Sequence, residues 1–184
     1  MKEIWIRLER WLEEEAPEIL SDLNAGATEA EIAALEEATG LQLPSDLKES
    51  LNIHNGQNGE GQWLFAGWEF LSTERILDEW KVWKELYDKK SFDSWDVDAE
   101  SGIANEWWNP AWIPITYNGS GDHHCIDLSP TKDGTIGQVI TMWHDSDERR
   151  IVASSYRQWL ELIVAKFEAN DSEYVFDSGD FEFI

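Results

Sequence analysis

A single cysteine, fourteen basic residues and the lack of any long apolar run set the first limits on this chain of 184 residues. One thiol, Cys125, cannot close an internal disulfide, which excludes a cystine-stapled scaffold. No apolar stretch approaches the ~20 residues a membrane span requires. The opening segment MKEIWIRLERWLEEE has neither an apolar h-region nor a small-residue cleavage site. These features predict a cytoplasmic protein with no membrane partner. Lys and Arg number 14 against 38 Asp and Glu, a formal net charge of -24. Nucleic-acid affinity comes from neutralising phosphates with basic side chains, so DNA and RNA are excluded as partners. Such charge serves solubility, attraction to a basic protein partner, or both.

What is present fits one soluble globular domain over residues 1–184, with 42% hydrophobic and 28% charged residues. Trp5, Leu8, Trp11 and Leu12 recur at helical spacing within 2–15. In NAGATEAEIAALEEATG, Thr28 and Glu31 form a capping box, Ile32 and Leu35 share a face, and Gly40 stops the helix. A short helix restarts after Pro44, with Leu47 and Leu51 inward, followed by the turn-rich HNGQNGEGQ. QWLFAGWEFL, residues 62–71, reads as a strand. STERILDEWKVWKELYDKK is a helix with Ile76, Trp80, Trp83 and Leu86 in one stripe.

SFDSWDVDAESGIANEWWN lacks a clear period and is expected to be an inserted excursion at about 91–109. AWIPITYN, HHCIDL, IGQVITMWH and RRIVAS are short apolar segments between turns, the pattern of an antiparallel meander. Helical periodicity returns in SYRQWLELIVAKFEAN, capped by Ser154 or Ser155. The tail at about 170–184 alternates acids with Tyr174, Phe176, Phe181 and Phe183, as an edge strand or an extended arm would. No fixed-period repeat is present. The expected fold class is α+β: an antiparallel sheet packed against amino-terminal, middle and carboxy-terminal helices.

The stretch GSGDHHCIDL draws chemical attention because DHHC is the signature of zinc-stabilised protein S-acyltransferases. That reading fails for want of membrane helices and of a Cys/His framework. If HHCIDL is a strand, His123 and Cys125 lie on one face and Asp122, His124 and Ile126 on the other, so the cluster is split. No metal-ligand spacing of the H-E-x-x-H kind occurs, and no elbow surrounds Cys125. No catalytic residue, metal or cofactor is therefore expected, and the chain reads as a non-enzyme.

The 12 Trp mostly sit at core spacing. Trp95, Trp107 and Trp108 instead fall in the acidic excursion beside Asp93, Asp96, Asp98 and Glu100. Aromatic anchors among carboxylates suit a protein-binding patch, against the alternative of a mobile or core-covering loop. Asp122 and His124 join the candidate partner-binding set as polar residues of a shared strand face.

Two blocks resemble the SUKH superfamily, the Smi/Knr cell-wall assembly regulator domain. The first, LNAGATEAEIAALEEATGLQLPSDLKESLNIHNGQ, carries Gly26, Ile32, Leu35-Glu36, Leu43-Pro44, Leu47 and His54-Asn55-Gly56. The second, residues 112–160, carries Pro114-Ile115, Gly119, Gly121-Asp122, Asp127-Leu128, Gly137-Gln138-Val139, His144-Asp145 and Trp159-Leu160. The resemblance spans roughly residues 5–165 and omits the excursion and tail. It implies an α+β domain without catalysis. With the charge, it sets the expectation of a bacterial immunity protein that neutralises a cognate toxin, such as a basic nuclease. The alternatives are a cell-wall regulatory scaffold and a small metal-dependent hydrolase using His124, His144 and Asp145.

Overall fold

The computed structural model describes residues 1–59, 61–65 and 67–169; the acidic aromatic tail expected at 170–184 lies outside them. The α+β expectation holds. Helix α1 (Lys2–Glu15) buries Trp5, Leu8, Trp11 and Leu12, the stripe its spacing predicts. A short α2 (Pro17–Asp22), which the sequence reading passed over, follows with Pro17 in its first turn. In α3 (Glu29–Thr39) the Thr28 hydroxyl accepts from Glu31 N while the Glu31 carboxylate accepts from Thr28 N, and Gly40 closes the helix at φ 73. Helix α4 (Ser45–Leu51) buries Leu47 and Leu51.

A buried polar relay joins two of these helices to a third, distant in sequence. The Trp5 indole donates to Ser50 Oγ at 2.8 Å, and that hydroxyl meets Tyr156 OH at 2.9 Å. Tyr156 opens the last helix, so α1 and α4 are tied to it through groups whose hydrogen bonds are made inside the core.

Residues 62–71 are not the strand their aromatic content predicts. Among the described residues of this stretch only β1 (Glu69–Phe70) is a strand, while Leu64, Phe65 and Trp68 are core plugs outside it. The reason lies upstream, in Gln57. Its Oε1 accepts from Leu64 N and Phe70 N, and its Nε2 donates to Asp22 and to Gln62 O. One buried amide thus does for this backbone what a ladder would otherwise do.

Helix α5 (Thr73–Asp88), capped by Ser72, buries Ile76, Trp80 and Trp83. Within the excursion, β2 (Asp98–Ala99) is extended. The meander follows as β3 (Trp112–Pro114), β4 (Thr116–Tyr117), β5 (His123–Asp127), β6 (Gln138–Met142), β7 (Glu148–Arg149) and β8 (Ile151–Ala153). Helix α6 (Tyr156–Glu168), capped by Ser155, closes the described fold. Strands β3-β5-β6-β8 form an antiparallel four-stranded sheet, as expected. AWIPITYN splits because the chain changes partner at Ile115: β3 pairs with β5 and β4 with β1. One pairing departs from the antiparallel expectation, since β2 runs parallel to β7.

Every residue of β5 and β6 is buried. Strand pleating separates their side chains into two sets. His123, Cys125 and Asp127 face α5 and the excursion, and the Trp83 indole donates to His123. His124 and Ile126 face the other way, where His124 packs beside Trp68 and Trp159 of α6. The sheet is the middle layer of the fold, covered on both faces.

Two substitutions separate a cap from a steric requirement. Thr28→Ala removes the hydroxyl half of the reciprocal cap and should cost about 1 kcal/mol. Gly56 has φ +70, and a Cβ there would stand 2.2 Å from Ser72 N. Gly56→Ala should therefore cost roughly 3 kcal/mol. Urea unfolding checks both, and equal losses would contradict this ranking.

Candidate interaction site

The excursion does not hang free of the sheet. Asp98 N donates to Asp147 O and Glu100 N to Arg149 O. The Glu100 carboxylate accepts from Ile151 N, Asp98 pairs with Arg150, and Gln138 donates to Gly102 O. The deepest tie is Arg149, wholly buried. Its Nε and Nη2 donate to Trp107 O at 3.2 and 2.7 Å, and its Nη1 donates to Ser146 O and Glu148 O. The guanidinium also lies 5.0 Å from the Trp107 ring centroid. Burial lowers its pKa to about 10, which still leaves it a cation at neutral pH.

These ties place the expected partner-binding residues unequally. Trp95 is 48% exposed, whereas Trp107 and Trp108 are 8% and 1% exposed. Asp93, Asp96, Asp98 and Glu100 are exposed. Asp93, Trp95, Trp107 and Trp108 meet at a cavity of about 290 Å³, together with Tyr87, Phe92, Val97, Asn105 and Glu106. Phe92 and Trp107 lie nearly parallel at 23°, with Trp95 set across them at 67° and 89°. Sequence reasoning missed Tyr87 and Phe92. The available signal was the run of aromatics through Trp80, Trp83 and Tyr87 toward the excursion.

Asp122 and His124 do not line this cavity. Asp122 is half-buried, and its Oδ1 accepts from His144 N and binds His144 Nδ1 at 2.8 Å. His124 is 1% exposed, so the idea of a polar strand face open to a partner is corrected: both faces of β5 are roofed over. The hydrolase constellation is also rearranged. Asp122, rather than His124, lies with His144 and Asp145, within 4.8 Å.

The chemistry suggested by DHHC is suppressed by position. Because His123 Nε2 accepts from Trp83, its proton sits on Nδ1 and is donated to Thr116 O at 2.7 Å. Desolvation pushes His123 down to about 4, against the hydrogen bond to Thr116, and His124 down to about 3. Burial raises the Cys125 thiol, so it stays protonated and shielded. Among the described residues, no helix is long and apolar enough to cross a membrane.

The SMI1 / KNR4 family (SUKH-1) matches residues 26–162. The chain belongs to this family. Over 98% of its length it is 29% identical to the "Cell wall biosynthesis/cell cycle regulator smi1" of Schizosaccharomyces pombe, covering 38% of that protein. Over 86% of its length it is 28% identical to the "Glucan synthesis regulatory protein" of Neurospora crassa, covering 37%. Over 96% it is 22% identical to the "Cell wall assembly regulator SMI1" of Saccharomyces cerevisiae, covering 42%. The chain thus spans about two fifths of the length of these relatives.

These names overturn the expectation of a toxin-neutralising immunity protein with a toxin as partner, since these SMI1/KNR4 relatives are fungal regulators. The cell-wall regulator, held as the alternative, has the support. The family's signature residues build the fold: Glu36 accepts from Leu43 N and Lys48, and Asn55 exchanges hydrogen bonds with Thr73. Asp127 likewise accepts from Gln138. Net charge and family resemblance were both legible in the chain, but charge alone does not distinguish a toxin from any other basic partner.

The buried imidazoles fix a pH dependence. Unfolded, each titrates near 6.5 and binds a proton that the native state refuses, so stability falls as pH drops below about 6.5. With both charged in the unfolded chain, the slope reaches about 2.7 kcal/mol per pH unit, and it ends near the native values of about 4 and about 3. Urea unfolding between pH 6.5 and 5 reads this slope above the main carboxylate range. A flat profile would contradict burial of neutral imidazoles.

Proposed function

We propose that the chain is a non-enzymatic regulatory domain of cell-wall synthesis that works in the cytoplasm by binding signalling or wall-assembly proteins. The observation that carries this is the similarity to the fission-yeast regulator along 98% of the chain. Position supports the non-catalytic part: His123, His124 and Cys125 are interior, leaving these reactive groups no access to substrate. The surface and charge support the binding part, because a strongly anionic domain with an open aromatic cavity is suited to protein contacts.

The test is a chimera in fission yeast, with this chain replacing the matched segment of the resident regulator. The expected result is growth under a glucan-synthase inhibitor, and membrane glucan-synthase activity, restored from the deletion level toward wild type. A chimera that accumulates normally yet behaves like the deletion would overturn the reading.

A further inference from the structure

The cavity at the excursion has features of a site for a cation. Its rings present faces in two nearly perpendicular orientations, with Trp95 against Trp107 at a centroid distance of 4.3 Å. The two indoles meet edge to face, and the half-exposed Trp95 offers an electron-rich surface of the kind that attracts ammonium and guanidinium groups. Carboxylates of Asp93 and Glu106 stand in its wall, and Asn109 donates to one oxygen of Glu106. Near this end of α5, Lys84 pairs with Asp88 and Lys89 with Glu85. At about 290 Å³ the cavity falls at the lower edge of the roughly 300–1,000 Å³ usual for small-molecule sites. That is room for one long side chain.

Trp107 is already taken up from within by the Arg149 guanidinium, 5.0 Å from its centroid, so the ring left for a ligand is that of Trp95. The same guanidinium fixes the backbone carbonyl of Trp107, so the Trp107 ring is held before any ligand arrives. Trp95, half-exposed, is the wall that a ligand would cover.

We propose that this cavity is a recognition pocket for an arginine or lysine side chain on a basic segment of the domain's protein partner. The inference deepens the reading of the chain as an interaction domain and rests on it. The occupant follows from charge complementarity: a chain of net charge -24 repels anionic ligands and draws cationic ones. Arginine fits best, because a planar guanidinium stacks on an aromatic face and donates to carboxylates along its edge.

The probe is a capped hexapeptide bearing two adjacent arginines, titrated into the isotope-labelled protein while the indole N–H resonances are followed. Controls carry citrulline, the neutral isostere, or trimethyl-lysine in place of arginine. The expected result is saturable shifts centred on the Trp95 and Trp107 indoles, with no binding of the citrulline peptide. Trp95→Ala should weaken arginine-peptide binding roughly tenfold without altering net charge, and Asp93→Asn should weaken it less. Binding led by the trimethyl-lysine peptide would keep the cation pocket but overturn the preference for arginine.

Equal binding by the citrulline peptide, unchanged affinity in Trp95→Ala, shifts spread over the acidic surface, or no binding would each overturn the pocket. Because Trp95 lies outside the core, circular dichroism is expected to match the parent. If the variant unfolds, Asp93→Asn and the citrulline control still decide. The yeast chimera separates the two readings: a parent chimera that restores growth while the arginine peptide fails to bind the parent domain sinks the pocket and leaves the regulator.

Discussion

The structure depends on the burial of one sheet from both sides. An antiparallel meander is commonly packed on one face and wet on the other. Here β5 and β6 have no exposed residue, because α6 and the Trp68 loop cover one face while α5 and the excursion cover the second. The excursion therefore has a structural task. Arg149 is the cost of that arrangement: a buried cation satisfied by three backbone carbonyls, those of Ser146, Glu148 and Trp107. Truncating such a group would strand the carbonyls as well as remove the charge.

Burial also explains why the most chemical-looking stretch is chemically quiet. Alternation alone separates His123 and Cys125 from His124, and desolvation then keeps the imidazoles neutral and the thiol protonated. Reactivity at a protein surface requires access, and access is what the two covering layers remove. The exposed aromatic chemistry is instead at the excursion, where Trp95 projects from a segment whose neighbours are held down.

Much of this was legible in the sequence where one local rule suffices. Thr28 and Glu31 announce a cap, and the tryptophans of α1 and α5 announce their buried faces, because a helix repeats its environment every 3.6 residues. HHCIDL announces a strand by its flanking turns. Residues 62–71 misled, since the aromatic content that favours strands equally favours a plugged loop when a distant amide, Gln57, satisfies the backbone. Trp107 and Trp108 have no periodic signature at all. Trp107 is held by Arg149, more than forty positions along the chain, and Trp108 packs against Trp80 and Tyr87 of α5; nothing local marks either pairing. The cavity was half-visible for the same reason: Trp95 and Asp93 stood out by composition, while Tyr87 and Phe92 joined only through the fold.

The excursion is part of the core's cover and not a mobile insertion. Native-state hydrogen exchange measures this at individual amides. The Glu100 and Ile103 amides, which donate to Arg149 O and Glu100 O, should exchange through openings of nearly the same free energy as those of Ile126 and Ile140 in the central strands. Exchange at Glu100 and Ile103 as fast as in an unstructured loop, with β5 and β6 still protected, would contradict it.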